Sequence, residues 1–173
     1  MHHVRLSLAA VIALSGCSMH GSSAVERADA IIRDVAGREL GTLTLAPHMG
    51  GLMLSGRMQS LPPGTHGIHL HATGLCEPPF ESAGGHWNPT SRRHGTQNPE
   101  GPHLGDMPNL VVASDGSATV SIMTPGGTLG GADALLDGDG AAVVVHAAAD
   151  DYRTDPSGNS GARIACGVVR GSR

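Results

Sequence analysis

Lysine is absent from this chain, and aromatic and charged residues are scarce. All eleven basic residues are arginine, aromatic residues make up 2% of the 173 positions and charged residues 15%. A GC-rich coding bias is the simplest explanation of the missing lysine, so we give it no functional weight. The formal net charge is −4 and there is no basic tract, which argues against a nucleic-acid partner. No segment keeps a helical apolar period, which argues against a bundle of long helices.

Glycine and proline are abundant instead, with 26 and 11 residues respectively. This composition is typical of many short elements joined by turns, and the length is that of one ordinary domain. Asp115-Gly116 predicts a tight turn between two of the elements. We therefore predict one all-β domain over residues 28–173, without repeats, in which eight segments have β character: 28–34, 39–45, 51–59, 67–72, 109–113, 118–123, 141–147 and 163–169.

The N-terminus has the pattern of an export signal. An arginine precedes an apolar stretch at 6–14, which is too short to span a bilayer as a helix. The ending 14-LSGC-17 looks like the lipobox of a bacterial lipoprotein, in which the cysteine carries the lipid. We therefore expect a lipoprotein signal peptide at 1–16, a lipidated Cys17 and a tether that runs to residue 27. Ordinary signal cleavage nearby and an apolar core helix are the alternatives.

The residue after the lipobox cysteine bears on where the protein is sent. Ser18 stands there in place of aspartate, which resembles the pattern that allows sorting to the outer membrane. The expected location is the periplasm of a bacterial cell envelope. The lipid at Cys17 is then the only expected contact with the membrane.

Three cysteines are present in all. If Cys17 carries lipid, Cys76 and Cys166 remain as an even pair in an oxidising compartment, and a disulfide between them is the default expectation. The closed loop of about 90 residues would stabilise the fold by roughly 4 to 5 kcal/mol in the chain-entropy account. Two separate buried thiols are the alternative.

Two long stretches, 73–108 and 148–162, fit neither strand nor helix. Structureless loops of this length in a compact domain are usually functional or held by something other than a core. Both adjoin predicted strands that carry histidine, and seven of the eleven histidines fall between His66 and His146. Bound metal could order such loops, so we expect a metal site beside them.

The histidines form two sets of candidate ligands. His69 and His71 lie two apart on one predicted strand, so their imidazoles point to the same face, and His146 lies on another strand. Several imidazoles with few soft ligands fit Cu(II). The second set lies in the first loop, and its three nitrogens and one carboxylate are sufficient for tetrahedral zinc: His86, His94, His103 and Asp106. Two sets imply two metals, unless the sets are unrelated.

The order of these residues resembles that of the copper,zinc superoxide dismutases. His-x-His is followed after fifteen residues by His86, then at spacings of eight, nine and three by the rest of the second set, and finally by 145-VHAAAD-150 and 161-GARIACG-167. The resemblance runs from about Arg38 to Arg170. It implies an eight-stranded antiparallel Greek-key β-barrel, flattened and immunoglobulin-like, with two long functional loops.

The resemblance also implies a role for each residue. His86 would bridge the two metals, Asp150 would link a copper histidine to a zinc histidine, and Arg163 would guide and dock the anion. His66 matches a structural, hydrogen-bonded histidine and is left out of the metal set. One copper and one zinc per chain are implied, with copper held by His69, His71, His86 and His146, and zinc by His86, His94, His103 and Asp106.

The activity implied by the resemblance is dismutation of superoxide to dioxygen and hydrogen peroxide. Copper would cycle between two redox states, zinc would hold His86 and its loop, and the bridging imidazole would help to deliver a proton. Steering would depend mainly on Arg163, with help from Arg92, Arg93 or Arg153 left open. The alternatives are a dismutase-like lipoprotein that stores or delivers metal and a structural lipoprotein that binds zinc adventitiously. Members occur as monomers and homodimers, and the sequence does not decide between them.

Overall fold

Nine β-strands and one turn of 3-10 helix make up the regular structure of the described chain. The computed structural model describes residues 25–131 and 134–172. The 3-10 turn spans Glu81–Ala83. The strands are β1 (Arg27–Asp34), β2 (Glu39–His48), β3 (Gly51–Met58), β4 (Gly64–His66), β5 (Ile68–His71), β6 (Leu110–Val112), β7 (Ala118–Met123), β8 (Ala141–His146) and β9 (Arg163–Ser172).

Every strand pair is antiparallel. Seven strands form one curled sheet in the order β5-β8-β9-β1-β2-β3-β7, and β4 pairs with β6 in a second, small sheet. The chain crosses from β3 to β5 at the opposite edge, and from β7 back to β8 beside β5. These crossovers place the metal-binding candidates of β5 and β8 on neighbouring strands.

The core follows from the period of two along the strands. In β1 the side chains of Ala28, Ala30 and Ile32 point inward and are fully buried, while their neighbours face solvent. In β8 all six residues are buried. One face packs on the main core, and the other packs against Phe80, Ala83 and Cys76 of the first long loop, which we call the disulfide loop because Cys76 is bonded to Cys166. Burying both faces explains why this strand is a continuous apolar run before His146.

The all-β class and the positions of the strands agree with the sequence-based expectations to within a few residues. The chain turns at Asp115-Gly116 as expected, since Ala113 N donates to Ser117 O (2.8 Å). One strand was missed. β4 has only three residues, and Gly64 and Thr65 give it no apolar alternation, so pairing with β6 rather than local sequence defines it.

The two long loops contain no strand, as expected, and the first is tied to β9 by a disulfide. Cys76 and Cys166 are bonded, with their Cα atoms 5.7 Å apart, which confirms the expected pairing. β1 begins at Arg27, the last residue of the predicted tether. The predicted signal peptide and Cys17 lie outside the described residues. Nowhere in the described ranges is a helix long and apolar enough to cross a membrane.

Candidate metal centre

The donor residues converge at one edge of the seven-stranded sheet. His69 and His71 lie on β5 with both side chains fully buried, and β5 pairs with β8, which ends at His146. Isolated bridges His71↔His86 and His69↔Asp106 bring the first long loop against β5. Residues that are far apart in the sequence therefore meet at this edge through ordinary strand pairing.

Four imidazoles form the first set: His69, His71, His86 and His146. One nitrogen of each lies within 4.8 Å of the others. These four nitrogens are buried without any hydrogen-bond partner: His69 Nδ1, His71 Nε2, His86 Nε2 and His146 Nε2. Buried polar atoms are normally paired, and leaving four unpaired in one place is costly. Four such nitrogens fit a copper ion as their common partner.

The opposite nitrogens fix the tautomers of three of these rings. His71 Nδ1 donates to Gly84 O (2.9 Å), His146 Nδ1 to Gly161 O (3.2 Å), and His69 Nε2 to Asp150 Oδ2 (2.7 Å). Each partner can only accept, so in the neutral ring the remaining nitrogen carries a lone pair that points into the cluster. The lone pairs are therefore oriented for metal binding.

Asp106 organises the second set. Its Oδ1 lies 2.8 Å from His86 Nδ1, 3.0 Å from His94 Nδ1 and 3.1 Å from His103 Nδ1. Its Oδ2 accepts from the backbone N–H groups of Gly95 and His103. One carboxylate oxygen has two lone-pair positions, so three imidazole nitrogens exceed what hydrogen bonding to it can satisfy. Three nitrogens and one oxygen that converge in this way fit zinc.

His86 and Asp150 each join the two sets. His86 turns Nδ1 to Asp106 of the second set and Nε2 to the other three histidines of the first set, so one ring belongs to both. We call the four histidines of the first set the copper-type histidines, or the copper-type set. Asp150 accepts from His69 Nε2 through Oδ2 (2.7 Å) and from His94 Nε2 through Oδ1 (3.0 Å). His69, His94 and Asp150 also form a third group of close donor atoms. The nitrogens that face Asp150 are turned away from the two sets, so we interpret Asp150 as a link between ligands and not as part of a third metal site.

Three residues that hold Asp150 were missed by the sequence-based interpretation. Tyr152 N donates to Asp150 Oδ1 (2.6 Å), and Asn109 exchanges two hydrogen bonds with the Asp150 backbone (2.8 and 2.9 Å). Gly158 has φ +63°, and a Cβ there would collide with Asp150 Oδ1 and lie 2.7 Å from His94 Nε2. Tyr152 acts through its backbone N–H group and Gly158 through its missing side chain, neither of which residue type alone reveals. Asn109 acts through its side-chain amide, which no sequence spacing connects with Asp150.

Burial and the two carboxylates set the charge states of the metal-free site. Burial lowers the pKa of His69 and of His71, and lowers the pKa of His86 and His146 to about 4. Burial alone would raise the pKa of Asp106, but hydrogen bonds from the three imidazoles outweigh it and hold this pKa far below its usual range. The copper-type histidines are therefore neutral at pH 7, the form that binds metal.

His94 is the exception among the histidines with shifted pKa values. Burial alone would lower its pKa, but hydrogen bonds to Asp106 and Asp150 outweigh burial and raise the pKa of His94 to about 9. In the metal-free protein this ring keeps a second proton at pH 7. A cation bound beside Asp106 must displace that proton.

Arg163 stands beside the copper-type set at the start of β9. Nη1 donates to Phe80 O and Nη2 to Gly84 O, both at 2.7 Å. Gly84 O is also the acceptor for His71 Nδ1, so one carbonyl orients both the guanidinium and a copper-type histidine. The carbonyls of Phe80 and Gly84 escaped the sequence-based interpretation because every residue has one.

A pocket of about 420 Å³ opens over this region, and its lining includes His71, His86, His146 and Arg163. Larger pockets of about 490 and 630 Å³ lie elsewhere, but none of the seven donor residues lines them. The smaller pocket is therefore the one that leads to the donors. A small anion could enter it and meet the guanidinium beside the four unpaired nitrogens.

The other arginines considered for steering have partners outside this pocket. Arg92 donates to Gly101 O (2.8 Å), Arg93 pairs with Glu100 (3.0 Å), and Arg153 donates to Gln97 Oε1 (2.9 Å). His66 has both ring nitrogens 2.8 Å from backbone carbonyl oxygens, those of His146 and Pro62, which agrees with a structural role.

Comparison with known proteins identifies the family. Residues 40–169 match the sequence profile described as copper/zinc superoxide dismutase. This chain belongs to that family. The match covers both donor sets, Asp150 and Arg163, so the whole centre lies within the shared domain.

Individual dismutases give the same answer. Superoxide dismutase (Cu-Zn) of Caulobacter vibrioides is 42% identical over 175 residues, covering 96% of this chain and 99% of that protein. Superoxide dismutase (Cu-Zn) 2 of Aquifex aeolicus is 41% identical over 148 residues, covering 83% and 86%. The solved structure of a superoxide-dismutase-like protein from Bacillus subtilis has a TM-score of 0.78 and 41% identity, covering 81% and 96%. The all-β antiparallel fold expected from the sequence is confirmed.

Proposed function

We propose that this protein dismutates superoxide to dioxygen and hydrogen peroxide. The observation that carries the proposal is the set of four buried, unpaired imidazole nitrogens beside an accessible guanidinium. Family membership supplies the reaction class, and the geometry provides both a place for a redox metal and a place for an anion. The members of the two donor sets fit their expected metals, with one copper and one zinc per chain.

The copper would be held by His69 Nδ1 together with the Nε2 atoms of His71, His86 and His146. The zinc would be held by the Nδ1 atoms of His86, His94 and His103 and by Asp106. Copper bound there supplies a reversible one-electron change, which takes an electron from one superoxide and returns it to a second. Zinc supplies a fixed charge that holds the loop and limits the basicity of His86.

The remaining steps depend on side chains of this chain. Arg163 binds the incoming anion, and the carbonyls of Phe80 and Gly84 hold its guanidinium in position at the pocket. His86 Nε2 would take up a proton while this nitrogen is released from reduced copper, and would pass that proton to the departing peroxide when it binds copper again, with Nδ1 remaining on the zinc side. Asp150 keeps His69 and His94 in their ring orientations.

The main experiment combines metal analysis and a superoxide-removal assay on one purified sample. We expect about one copper and one zinc per chain, in line with the two donor sets, and activity above that of an equal amount of free copper. Fully metallated protein without activity above the free-copper background would overturn the proposal. That outcome would support metal storage or delivery instead, a function that uses the same donors without turnover.

We further propose that the protein is a periplasmic lipoprotein anchored through Cys17. The support is the order of apolar stretch, small residues and cysteine at the N-terminus. Mass spectrometry of the mature N-terminus provides the test, and a diacylglyceryl cysteine is the expected result. An unmodified serine or alanine as the first residue would remove the anchor from this account.

A further inference from the structure

We infer that Glu81 competes with small anions for Arg163 and thereby sets how tightly the pocket binds them. This inference deepens the proposed dismutase function and rests on it for the identity of the natural anion. It concerns a residue of the loop, and neither donor set includes it.

Glu81 opens the 3-10 turn between the two carbonyls that hold Arg163. Phe80 precedes it and Gly84 follows the turn, and the Glu81 carboxylate oxygen Oε2 lies 3.7 Å from Arg163 Nη2. That distance is too long for a hydrogen bond but short enough for electrostatic attraction. The guanidinium is already held by two carbonyls at 2.7 Å, so Glu81 is not required to fix it.

The two partners differ in their freedom to move. The side chain of Arg163 is 15% exposed, whereas that of Glu81 is 76% exposed. The guanidinium is therefore a fixed part of the pocket wall, and the carboxylate is a solvated group that can approach it or move away. An ion pair at 3.7 Å with one largely solvated partner is weak, so an anion that binds Arg163 can replace the carboxylate.

The charge balance of the pocket makes this competition matter. Among the described residues that line it, only Glu81 and Arg163 carry a formal charge when the histidines are neutral. Their opposite charges nearly cancel for an anion that approaches from a distance. Removing the negative charge at position 81 leaves the guanidinium as the single charged side chain of the lining, and its positive charge then adds in full to that of the bound metals. Every small monoanion should therefore bind more tightly.

The test compares Glu81→Gln with Glu77→Gln in the copper- and zinc-loaded protein. Both glutamates are exposed and belong to the same disulfide loop, but only Glu81 lines the pocket. Azide is the probe, and its dissociation constant is read from the absorbance change of bound copper at low ionic strength. We expect Glu81→Gln to bind azide about two- to fivefold more tightly than the native protein, the range of one exposed charge pair. Glu77→Gln should leave the dissociation constant nearly unchanged.

The gain for Glu81→Gln should shrink at high ionic strength, where exposed charges are screened. Equal gains in both variants would overturn the inference, since net charge alone would explain them. Weaker azide binding would also overturn it, because Glu81 would then be holding Arg163 in place. If copper-loaded native protein removed no superoxide, the dismutase proposal would fail, and the azide comparison would still decide the role of Glu81.

Discussion

At the scale of single residues, His86 and Asp150 connect the two donor sets from opposite sides. The His86 ring places one nitrogen in each set, and the two Asp150 oxygens accept one from His69 and one from His94. A displacement of either residue therefore alters both sets. Arg163 depends in the same way on atoms of its neighbours, since Gly84 O orients it together with His71.

Reversing the charge at position 163 should separate anion docking from metal binding. In Arg163→Glu the new side chain cannot donate to Phe80 O or Gly84 O, and it repels superoxide. We expect kcat/KM to fall on the order of 10- to 100-fold, because the field at the pocket governs encounter with an anion. Copper and zinc contents, measured on the same sample, should match the native protein because Arg163 is outside both donor sets. Unchanged kcat/KM would contradict the docking role.

The raised pKa of His94 predicts that zinc affinity depends on pH. The metal-free ring keeps its second proton until the pH passes about 9, and zinc needs the Nδ1 lone pair. Affinity should therefore rise from pH 7 to pH 9 and level off above it. Zinc binding to copper-free protein at pH 7 should release about one proton, measured by titration calorimetry in buffers of different ionisation enthalpy.

Asp150→Asn provides the control for this prediction. It removes one of the two negative charges that raise the pKa of His94, so fewer protons should be released per zinc bound at pH 7. An affinity that stays constant between pH 7 and pH 9 would show that His94 is already neutral in the metal-free protein.

At the scale of elements, the disulfide joins the loop that holds Arg163 to the strand that carries it. Cys166 lies on β9 three residues after Arg163, and Cys76 lies four residues before Phe80. Phe80 itself is buried against this region together with Ala83. The carbonyl acceptors and the guanidinium donor are thus tied to one cross-link.

Removal of the cross-link should affect both stability and turnover. In the Cys76→Ser/Cys166→Ser protein we expect the free energy of unfolding to fall by roughly 2 to 5 kcal/mol, measured by denaturant titration. We also expect kcat/KM to fall more than metal content does, because the carbonyls that hold Arg163 are no longer fixed. Native protein treated with reductant should behave like the double variant. Full kcat/KM in the double variant would show that the loop is held without the cross-link.

The elements also show what the sequence could and could not predict. The period of two on β5 predicts that His69 and His71 share a face, and the spacings after His86 predict the second set, because both patterns depend on residue type. The acceptors of Arg163 were not predictable, since they are main-chain oxygens. β4 was missed because tertiary pairing with β6, rather than an apolar pattern, defines it.

At the scale of the whole molecule, the apolar core and the metal centre stabilise different parts of the chain. The core is built from the strands, with large buried side chains such as Leu43, Leu45 and Leu54. The long loops contribute only a few side chains to it, such as Trp87 and Met107, and backbone hydrogen bonds also tie the first of them to β5. The histidines and carboxylates add the contacts that a bound metal would complete. Metal should therefore order the loops more than it orders the sheet.

Hydrogen exchange can detect this division. Removing both metals should raise exchange in 73–108 and 148–162 and leave β1, β2 and β3 protected, because local stability follows local contacts. Zinc alone should restore protection mainly around 86–106, where its donors lie. A uniform loss of protection across sheet and loops would show that metal stabilises both parts equally. The unfolding temperature of the same samples measures how much metal stabilises the whole protein.

The antiparallel pairing of β1 with β9 also separates the start of the barrel from the metal centre. Arg163 begins β9, whereas Ser172, the last residue of the strand, pairs with Arg27, the first residue of β1. Nine residue steps of strand separate these two ends by about 30 Å. The chain therefore enters the barrel at the pole opposite the pocket. If Cys17 carries a lipid, the anchor is therefore attached to the barrel at the end farthest from the pocket.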